Sequence, residues 1–283
     1  MNITNPELIV TDLDGTLLQD NQVISKKDIE TLQYLKHKNI YRVIATGRSV
    51  FSAKKVLDDD FPIDYLIFSS GAGILNWKTK KLIFSENLIK EKIKTISDIL
   101  ISEQIDFMIH YPIPDNHKFR YYKTNKKNID FDNRCKLYKD YASALDINNF
   151  GFEKSCQIIA IFNNNISEFE RIKEKISSEV SDIKIIRATS PLNGKSIWME
   201  IFSDKVSKAK AAKYLCKILN INTENTLGIG NDYNDLDLLH WASQSFVVAN
   251  APEELKNKFK NTETNSNNGF TKAVMHILNQ DKI

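Results

Sequence analysis

Residues 8–16 read LIVTDLDGT, and this stretch decides the fold class. Its apolar start is typical of a short buried β-strand, and Gly15 marks the turn that follows the strand. Asp12 and Asp14 lie between the strand and the turn. The stretch therefore predicts a strand that ends in two closely spaced carboxylates.

The same pattern extends along the chain on the C-terminal side of this strand. Residues 25–28 have the spacing of a capping box and precede apolar residues at helical spacing. Further apolar runs at 41–45, 65–68, 227–230 and 246–248 predict strands that alternate with amphipathic helices. Such alternation predicts an α/β fold with a parallel, Rossmann-like sheet.

A second pattern interrupts the first from about residue 85 to residue 202. Helical spacing alternates there with apolar runs, and the runs at 183–187 and 197–202 are predicted to pair as antiparallel strands. We therefore predict an inserted α+β domain over 85–202, and a core domain formed by 1–84 and 203–283.

Two polar stretches are predicted to be exposed loops. Residues 122–133 are rich in Asn and Lys, and residues 261–268 contain no apolar side chain. Stretches of this composition bury little apolar surface, so they are typical of solvated connections. Neither stretch is assigned a part in the predicted site.

Composition excludes several classes of function. The 39 basic and 36 acidic side chains give a formal net charge of only +3, which offers no electrostatic case for nucleic acid as a partner. No apolar run approaches the roughly 20 residues needed to cross a bilayer, so no membrane partner is expected. The three cysteines are widely spaced, and residues 1–11 lack the pattern of a signal peptide. A cytoplasmic location is therefore expected.

The carboxylates of Asp12 and Asp14 could perform two separate catalytic roles. Ligands of open α/β sheets bind beyond the carboxyl ends of the strands, where this pair is predicted to lie. One carboxylate can attack phosphorus and form an aspartyl-phosphate, while the other protonates the leaving oxygen and later activates water. A divalent cation such as Mg2+ would relieve the repulsion between the two acids. The competing interpretation is an Asp-rich turn that merely ends a strand.

Three further polar clusters follow predicted strands or begin a predicted helix. Thr46, Gly47 and Arg48 end the second strand, where a hydroxyl and backbone N–H groups can hold a phosphoryl oxygen. Lys208 begins a helix, where a cation is unfavourable to the helix dipole, and a bound phosphate could offset that cost. Residues 228–235 contain two carboxylates and two amides, whose oxygen atoms suit Mg2+ better than zinc. Taken singly, each cluster could be a polar surface turn.

Together the four clusters resemble the motifs of the haloacid dehalogenase superfamily, and within it those of the Cof-type phosphatases. The first motif corresponds to residues 12–17, the second to 46–48, the third to Lys208 and the fourth to 230–235. Their order, their spacing and the total length agree with this family, so the resemblance covers essentially the whole chain. The insertion resembles the large α/β cap domain of the same group.

The resemblance implies a role for each motif residue. It implies that Asp12 is the nucleophile and a metal ligand. Asp14 is implied to be the general acid and base, and to bind the metal through its backbone carbonyl. The implied cofactor is Mg2+. Thr46 and Lys208 are the other implied catalytic residues, and the implied contacts to the substrate are Thr46, Gly47, Arg48, Lys208 and Asn234.

The fourth motif departs from the family pattern at its second position. Similar proteins usually carry Asp there, and this chain carries Asn231. Asn231 could bind Mg2+ through its amide oxygen without adding charge, or the adjacent Asp232 could take over. We expect Asp232, because a carboxylate is the better ligand for a hard cation and Gly230 gives the loop freedom. The resemblance also implies that Asp235 supports the metal through water or indirect contacts.

Three functions are compatible with the sequence. The leading one is a Mg2+-dependent phosphatase that acts on small phosphorylated metabolites such as sugar phosphates. Phosphomannomutases resemble this core and cap, so a phosphomutase is the second, and it would need a bound bisphosphate for turnover. The third is a weakly active protein that binds phosphorylated ligands, which the neutral Asn231 favours.

Overall fold

The computed structural model describes residues 5–190, 192 and 194–278. The chain divides into two units: the first combines Met1–Phe84 with Ser207–Ile283, and the second is Ser85–Val206. Across the described ranges, no helix is both long enough and apolar enough to cross a membrane.

The end of the inserted unit lies slightly beyond the predicted boundary at residue 202. Residues 203–206 group with the second unit. The Asp204 N–H donates to the Asp182 carbonyl oxygen at 3.2 Å, and the Val206 N–H donates to the Ser203 carbonyl oxygen at 3.0 Å. These backbone bonds tie the segment to the last residue of the strand Ile197–Ser203 and to the residue that precedes the strand Ile183–Thr189.

The N-terminal part of the first unit contains two helices and five strands. In chain order they are β1 (Leu8–Thr11), α1 (Lys26–His37), β2 (Tyr41–Ala45), α2 (Val50–Ala53), β3 (Tyr65–Phe68), β4 (Gly73–Asn76) and β5 (Leu82–Ser85). All four positions of β1 are buried, which is typical of a parallel strand covered on both faces. The hydroxyl of Ser25 caps α1 by accepting the Asp28 N–H, in agreement with the capping-box spacing.

The second unit follows. Its elements are β6 (Leu88–Ile89), α3 (Lys90–Ser102), β7 (Phe107–His110), β8 (Phe119–Tyr122), α4 (Ile129–Leu137), β9 (Ala142–Ala144), β10 (Lys154–Ser155), β11 (Ile158–Phe162), α5 (Ile166–Glu179), β12 (Ile183–Thr189) and β13 (Ile197–Ser203). The chain then returns to the first unit. The elements there are α6 (Lys208–Leu219), β14 (Thr226–Gly230), α7 (Leu236–Trp241), β15 (Gln244–Val247), α8 (Glu253–Lys256), β16 (Lys260–Asn261) and α9 (Gly269–Ile277).

The first unit is built on an eight-stranded sheet in the order β16-β15-β14-β1-β2-β3-β4-β5. Strands from β16 to β3 run parallel to their neighbours, and β4 is antiparallel to β3. The predicted parallel, Rossmann-like core is therefore confirmed. Ala212 and Leu215 of α6 share an apolar cluster with Val10 and Ile67 of the strands, which fixes α6 against the sheet.

The second unit is built on a six-stranded sheet in the order β12-β13-β11-β7-β8-β9. Its strands are antiparallel to their neighbours except for the parallel pair β8 and β9. The predicted pairing of 183–187 with 197–202 is confirmed, and Ile186 lies opposite Glu200. Helices α3 and α5 bury apolar side chains in the same core as Met199 of β13.

The prediction that residues 122–133 form a solvated loop is wrong, because α4 begins within them. The side chain of Asn128 caps α4 by accepting the Phe131 N–H, and Phe131 is fully buried. Asp130 is also buried, and its carboxylate accepts the indole N–H of Trp198 at 2.7 Å. The buried residues of α4 are Phe131 and the hydrogen-bonded Asp130. Because only one of them is apolar, the sequence lacks the apolar periodicity that would predict a helix.

His110 in β7 is expected to make the second unit sensitive to acid. Its side chain is buried, and its Nδ1 bonds to the Asn116 carbonyl oxygen at 2.8 Å. Burial, reinforced by the charge of Arg134, lowers the pKa of His110 to about 3. Unfolding returns the pKa to about 6.5, so protonation favours the unfolded state as the pH falls below that value. Between pH 7.5 and pH 5, this group is expected to remove about 2 kcal/mol of unfolding free energy.

We expect His110→Gln to lose less unfolding free energy than the wild type over the same pH interval. Denaturant unfolding of both proteins at the two pH values measures the difference. His37→Gln, which replaces an exposed histidine, is the matched control and should follow the wild type. An equal decline in the wild type and His110→Gln would show that His110 is not the acid-sensitive group.

Candidate active site

The carboxyl ends of β1, β2 and β14 lie side by side and bring three of the motifs together. β1 pairs in parallel with β14 on one side and with β2 on the other, so the residues after these strands emerge at the same edge of the sheet. Asp12 follows β1, Thr46 follows β2, and Gly230 ends β14. Parallel pairing thus joins motifs that lie far apart in the sequence.

Lys208 joins this group from α6. It is the first residue of that helix, after the N-cap residue Ser207. Its Nζ donates to Asp12 Oδ1 and to Asp235 Oδ1, at 2.6 Å in each case. The side chain is only 1% exposed, so this cation at a helix N-terminus is paired with two carboxylates rather than solvated.

Gly71 allows the start of α6 to approach this edge of the sheet. Its φ is +101°, and a Cβ at this position would lie 2.3 Å from the Ser207 carbonyl oxygen. Ser69 and Ser70 also have positive φ, so the chain turns tightly after β3. Only glycine fits against the backbone that precedes Lys208, and this contact helps to set the position of the lysine.

Asp12, Asp235 and Lys208 are all buried, and their ionised forms together carry one excess negative charge. Burial raises the pKa of Asp12, the charge of Asp235 raises it further, and it reaches about 7 despite the opposing charge of Lys208. Burial alone would lower the pKa of Lys208, but the two carboxylates outweigh burial and raise it, so the lysine stays protonated. The uncompensated charge favours a further cation beside Asp12.

Asp235 holds both Lys208 and the loop after β14. Its Oδ1 accepts from Lys208, and its Oδ2 accepts the backbone N–H groups of Asn231 at 2.9 Å and Asp232 at 3.2 Å. A Cβ on Gly230 would lie 2.6 Å from the Asp235 Cβ, so glycine is required for this close approach. Both carboxylate oxygens are thus bonded within the protein, which suits a supporting role.

The geometry favours Asn231 over Asp232 beside the first motif. Asn231 Oδ1 accepts a hydrogen bond from Thr16 Oγ1 at 3.2 Å, and its Nδ2 lies 2.5 Å from the place that a Cβ on Gly15 would occupy. Asp232 instead caps the short helix Tyr233–Asp235, where its Oδ1 accepts the Tyr233 N–H at 2.7 Å. The capping bond directs Oδ1 of Asp232 to this helix, and the expectation that Asp232 takes over as the metal ligand stays an untested prediction.

The oxygen donors of the first motif and the adjoining loop are of the kind that suits a hard divalent cation. Within 5–190, 192 and 194–278, no group of three or more His, Cys, Asp and Glu side chains is arranged to hold a metal ion, so the predicted carboxylates Asp12, Asp232 and Asp235 are not gathered as one such group. The first motif and the adjoining loop nevertheless offer a carboxylate on Asp12, a backbone carbonyl on Asp14 and an amide oxygen on Asn231. Oxygen donors with an excess negative charge are what Mg2+ prefers.

The second motif contacts the first through Arg48. Thr46 is fully buried, and its Oγ1 accepts the Arg48 N–H at 3.0 Å. The Arg48 guanidinium donates from Nε and Nη2 to the carboxylate of Asp14. Gly47 is exposed between these two residues. Of the predicted substrate contacts, Arg48 is therefore bound to Asp14, while Thr46 and Gly47 lie directly before it at the end of β2.

Asn234 offers an acceptor within the fourth motif. Its Oδ1 is buried and, among the residues that the structure describes, finds no hydrogen-bond partner. An unsatisfied buried amide oxygen is costly, and a donor from a ligand would relieve that cost. Asn234 lies in the same short helix as Asp235, so this oxygen belongs to the loop that Asp235 holds.

Two amides that support the first motif are not evident from the sequence. Asn250 donates from Nδ2 to the Gly15 carbonyl oxygen at 2.8 Å, and its Oδ1 accepts the Asn265 N–H at 3.0 Å. Asn265 donates from Nδ2 to the Leu18 carbonyl oxygen at 3.1 Å. The prediction that 261–268 is wholly exposed is wrong, since Asn265 is 2% exposed. No local pattern marks these amides, because their partners lie 235 and 247 residues away in sequence.

Comparison with known proteins agrees with this geometry. Residues 9–277 match the family of haloacid dehalogenase-like hydrolases. The putative phosphatase YxeH of Bacillus subtilis (strain 168) is 24% identical over 280 residues, which cover 96% of this chain and 98% of that protein. The 5-amino-6-(5-phospho-D-ribitylamino)uracil phosphatase YwtE of the same strain is 26% identical over 297 residues, covering 95% and 97%.

A solved structure shows the same fold. The sugar phosphatase BT4131, of subclass IIB of the haloacid dehalogenase superfamily, matches with a TM-score of 0.76 and 18% identity over 95% of this chain and 98% of that chain. The family match begins within β1 and ends at the last residue of α9, so it includes both units. The chain therefore belongs to the haloacid dehalogenase-like hydrolases, as a phosphatase of the Cof type.

Proposed function

We propose that this protein is a Mg2+-dependent phosphatase that hydrolyses small phosphorylated metabolites through an aspartyl-phosphate on Asp12. The observation that carries the proposal is the buried cluster of Asp12, Lys208 and Asp235 at the carboxyl edge of the sheet, with its excess negative charge. One oxygen of Asp12 is held by Lys208, which leaves the other to act as nucleophile.

The first step is attack by Asp12 on phosphorus. The carboxylate oxygen forms a bond to phosphorus as the bond to the leaving oxygen breaks, and Asp14 gives its proton to that oxygen. In the second step the Asp14 carboxylate takes a proton from water, and the water oxygen attacks phosphorus. The bond between phosphorus and Asp12 then breaks, which releases inorganic phosphate and restores both residues.

Lys208 and the end of β2 stabilise the charge of the transferring group. Phosphoryl transfer requires positioning and charge stabilisation more than covalent assistance. Lys208 is protonated and fixed by Asp235, so its charge is oriented before substrate binds. The Thr46 hydroxyl and the Gly47 N–H are the proposed donors to the phosphoryl oxygens, and the buried Oδ1 of Asn234 is a proposed acceptor.

Mg2+ would be held by the Asp12 carboxylate, the Asp14 carbonyl and the Asn231 amide oxygen. When bound, the ion would offset the repulsion between the Asp12 carboxylate and the incoming phosphate. Asp235 would act indirectly, by fixing the Asn231 backbone. Asp232 would remain the cap of the following turn rather than a ligand.

The fourth motif can be tested by Mg2+ titration of activity. We expect Asn231→Asp to lower the Mg2+ concentration for half-maximal activity by about 10-fold, because it adds a charged oxygen at the metal. Asp232→Asn removes a charge but keeps a good N-cap residue, so the Mg2+ requirement should change by less than about 2-fold. The opposite result would show that Asp232 binds the metal. In that case Asp232→Asn would greatly raise the Mg2+ concentration for half-maximal activity, and Asn231→Asp would leave it unchanged.

The proposed substrate class is phosphate monoesters of polyhydroxylated metabolites, sugar phosphates above all. The name of YwtE specifies a phosphoribityl compound, and BT4131 is described as a sugar phosphatase. The inserted unit, Ser85–Val206, is the proposed cap that selects among such substrates. Cys135, Cys156 and Cys216 all lie within the described residues and form no disulfide, which suits the expected cytoplasmic location.

Release of inorganic phosphate from a panel of phosphorylated metabolites, with Mg2+ and with a chelator, tests this function. We expect turnover of sugar phosphates with Mg2+ and loss of turnover with the chelator. Asp12→Asn, prepared in parallel, separates true activity from a contaminating phosphatase. Full activity in the presence of chelator would refute the metal dependence, and a need for added bisphosphate would indicate a phosphomutase instead.

A further inference from the structure

The guanidinium of Arg48 forms a bidentate salt bridge with the side chain of Asp14. Arg48 Nη2 lies 2.6 Å from Asp14 Oδ1, and Arg48 Nε lies 2.9 Å from Oδ2. This fork geometry is the strong, bidentate form of an arginine–carboxylate pair. The Asp14 side chain is 46% exposed, so without this partner it would sample several rotamers at the edge of the site.

Arg48 is itself held from several sides by the first unit. Its Nη2 also donates to Gln22 Oε1 at 2.9 Å, and its Nη1 donates to the Ser52 carbonyl oxygen at 3.4 Å. Its backbone N–H donates to Thr46 Oγ1 at 3.0 Å. The guanidinium is therefore fixed before substrate binds, and all three of its nitrogens already bond to protein groups.

We propose that Arg48 is a positioning residue for Asp14 and does not bind the phosphoryl group of the substrate. This inference rests on the proposed function, in which Asp14 moves the proton to the leaving oxygen and from water. The acid step needs a proton on Asp14. Its Oδ1 accepts from Arg48 Nε at 3.0 Å as well as from Nη2 at 2.6 Å, so Oδ2 can carry that proton while Oδ1 keeps the carboxyl group in place. A carboxyl group that is fixed in advance avoids an entropic cost in the transition state. Arg48 holds Asp14 in place, so replacing Arg48 should change the rate only through the position of Asp14.

The leaving group of the substrate separates the two roles. An alkyl phosphate needs a proton on its leaving oxygen, whereas p-nitrophenolate leaves without one. A residue that positions Asp14 should therefore matter for kcat/KM with an alkyl phosphate and little with p-nitrophenyl phosphate. A residue that binds the phosphoryl group should matter equally for both, because both substrates carry the same group.

The experiment measures kcat/KM for both substrates in the wild type, Arg48→Ala, Arg48→Lys, Asp14→Asn and the double variant Arg48→Ala/Asp14→Asn. We expect Arg48→Ala to lower kcat/KM for the alkyl phosphate by about 30-fold or more, and for p-nitrophenyl phosphate by less than about 3-fold. Arg48→Lys keeps the charge but lacks the fork, so it should recover little. In the Asp14→Asn background, Arg48→Ala should change kcat/KM by less than about 2-fold.

Two further measurements guard against simpler explanations. Lys54→Ala removes an exposed cation of the same segment that pairs with Asp59 at 2.9 Å, and it controls for loss of local positive charge. Inhibition by inorganic phosphate reports directly on binding of the phosphoryl group, and Arg48→Ala should change its inhibition constant by less than about 2-fold.

Several outcomes would overturn the assignment. Equal losses for both substrates, an undiminished loss in the Asp14→Asn background, or weaker inhibition by phosphate would each show that Arg48 binds substrate. Full activity of Arg48→Lys would show that charge alone is needed. If the wild type hydrolyses neither substrate nor any member of the metabolite panel, the proposed function fails instead, so the two failures are distinguishable.

Discussion

Asp12→Asn is expected to lower kcat by at least about 10³-fold, because the substitution removes the proposed nucleophile and a proposed charged metal ligand together. The amide keeps the shape of the side chain and can still accept the hydrogen bond from Lys208 that Asp12 accepts at 2.6 Å. The fold should therefore persist while turnover is lost. Phosphate release under saturating substrate and Mg2+ measures the effect.

The same substitution should stabilise the metal-free protein at neutral and alkaline pH. The pKa of Asp12 is raised to about 7 in the folded state, so its ionised form is disfavoured there relative to the unfolded chain. That cost is absent below about pH 4, where Asp is protonated in both states, and is complete above about pH 7. The gain from Asp12→Asn should follow the same course, up to a few kcal/mol near pH 8.

Thermal unfolding in chelator at acidic and alkaline pH measures this gain. Asp59→Asn is the matched control, since it removes an exposed carboxylate of the same unit. Ordinary turnover by Asp12→Asn would contradict the proposed mechanism. A melting temperature of Asp12→Asn below that of the wild type at alkaline pH would contradict the proposed destabilisation by the ionised Asp12 carboxylate.

Lys208→Met is expected to damage both stability and activity. The lysine is 1% exposed and is the cation between the buried carboxylates of Asp12 and Asp235. Removing one partner of such a buried pair typically costs about 3–5 kcal/mol. Activity should fall by at least about 10²-fold, because a fixed positive charge at the transferring group is lost.

A double variant separates these two effects. Lys208→Met/Asp235→Asn has the same net charge in the cluster as the wild type, so it should regain at least part of the lost stability while activity stays low. Denaturant unfolding and phosphate release on the same samples make the comparison. A Lys208→Met protein as stable as the wild type would show that the lysine does not neutralise the cluster.

The sequence predicts five of the eight strands of the core sheet, because each of the five is a short, nearly continuous apolar run, whereas β4, β5 and β16 are not predicted. Residues 8–10, 41–45 and 65–68 all lie in observed strands, and parallel pairing then brings their polar ends to one edge. The position of Lys208 at a helix start predicts a compensating anion, for which phosphate was the expected one, and the structure supplies the carboxylates of Asp12 and Asp235. These predictions succeed because they depend on local patterns and on one general rule of sheet geometry.

Other features depend on long-range contacts or on competing local patterns. Asn265 sits in an entirely polar run, and its role beneath the first motif arises from a partner at Leu18. The capping role of Asp232 is marked in the sequence by the acidic pair at positions 232 and 235. That spacing matches a capping box, and the structure uses it as one. The ligand preference of Mg2+ alone favours a carboxylate, but the Asp232 carboxylate accepts the backbone N–H of Tyr233.

The most direct test of the central claim is chemical trapping of the phosphoenzyme. Asp14→Asn should slow hydrolysis of the aspartyl-phosphate, so the intermediate should accumulate when this variant is quenched during turnover of a good leaving-group substrate. Borohydride reduction followed by peptide mass spectrometry identifies the labelled residue. If the aspartyl-phosphate forms on Asp12, we expect reduction to convert Asp12 to homoserine only when substrate is present, and to leave no such product in Asp12→Asn. Phosphate release without any label at Asp12, or a label on another residue, would contradict it.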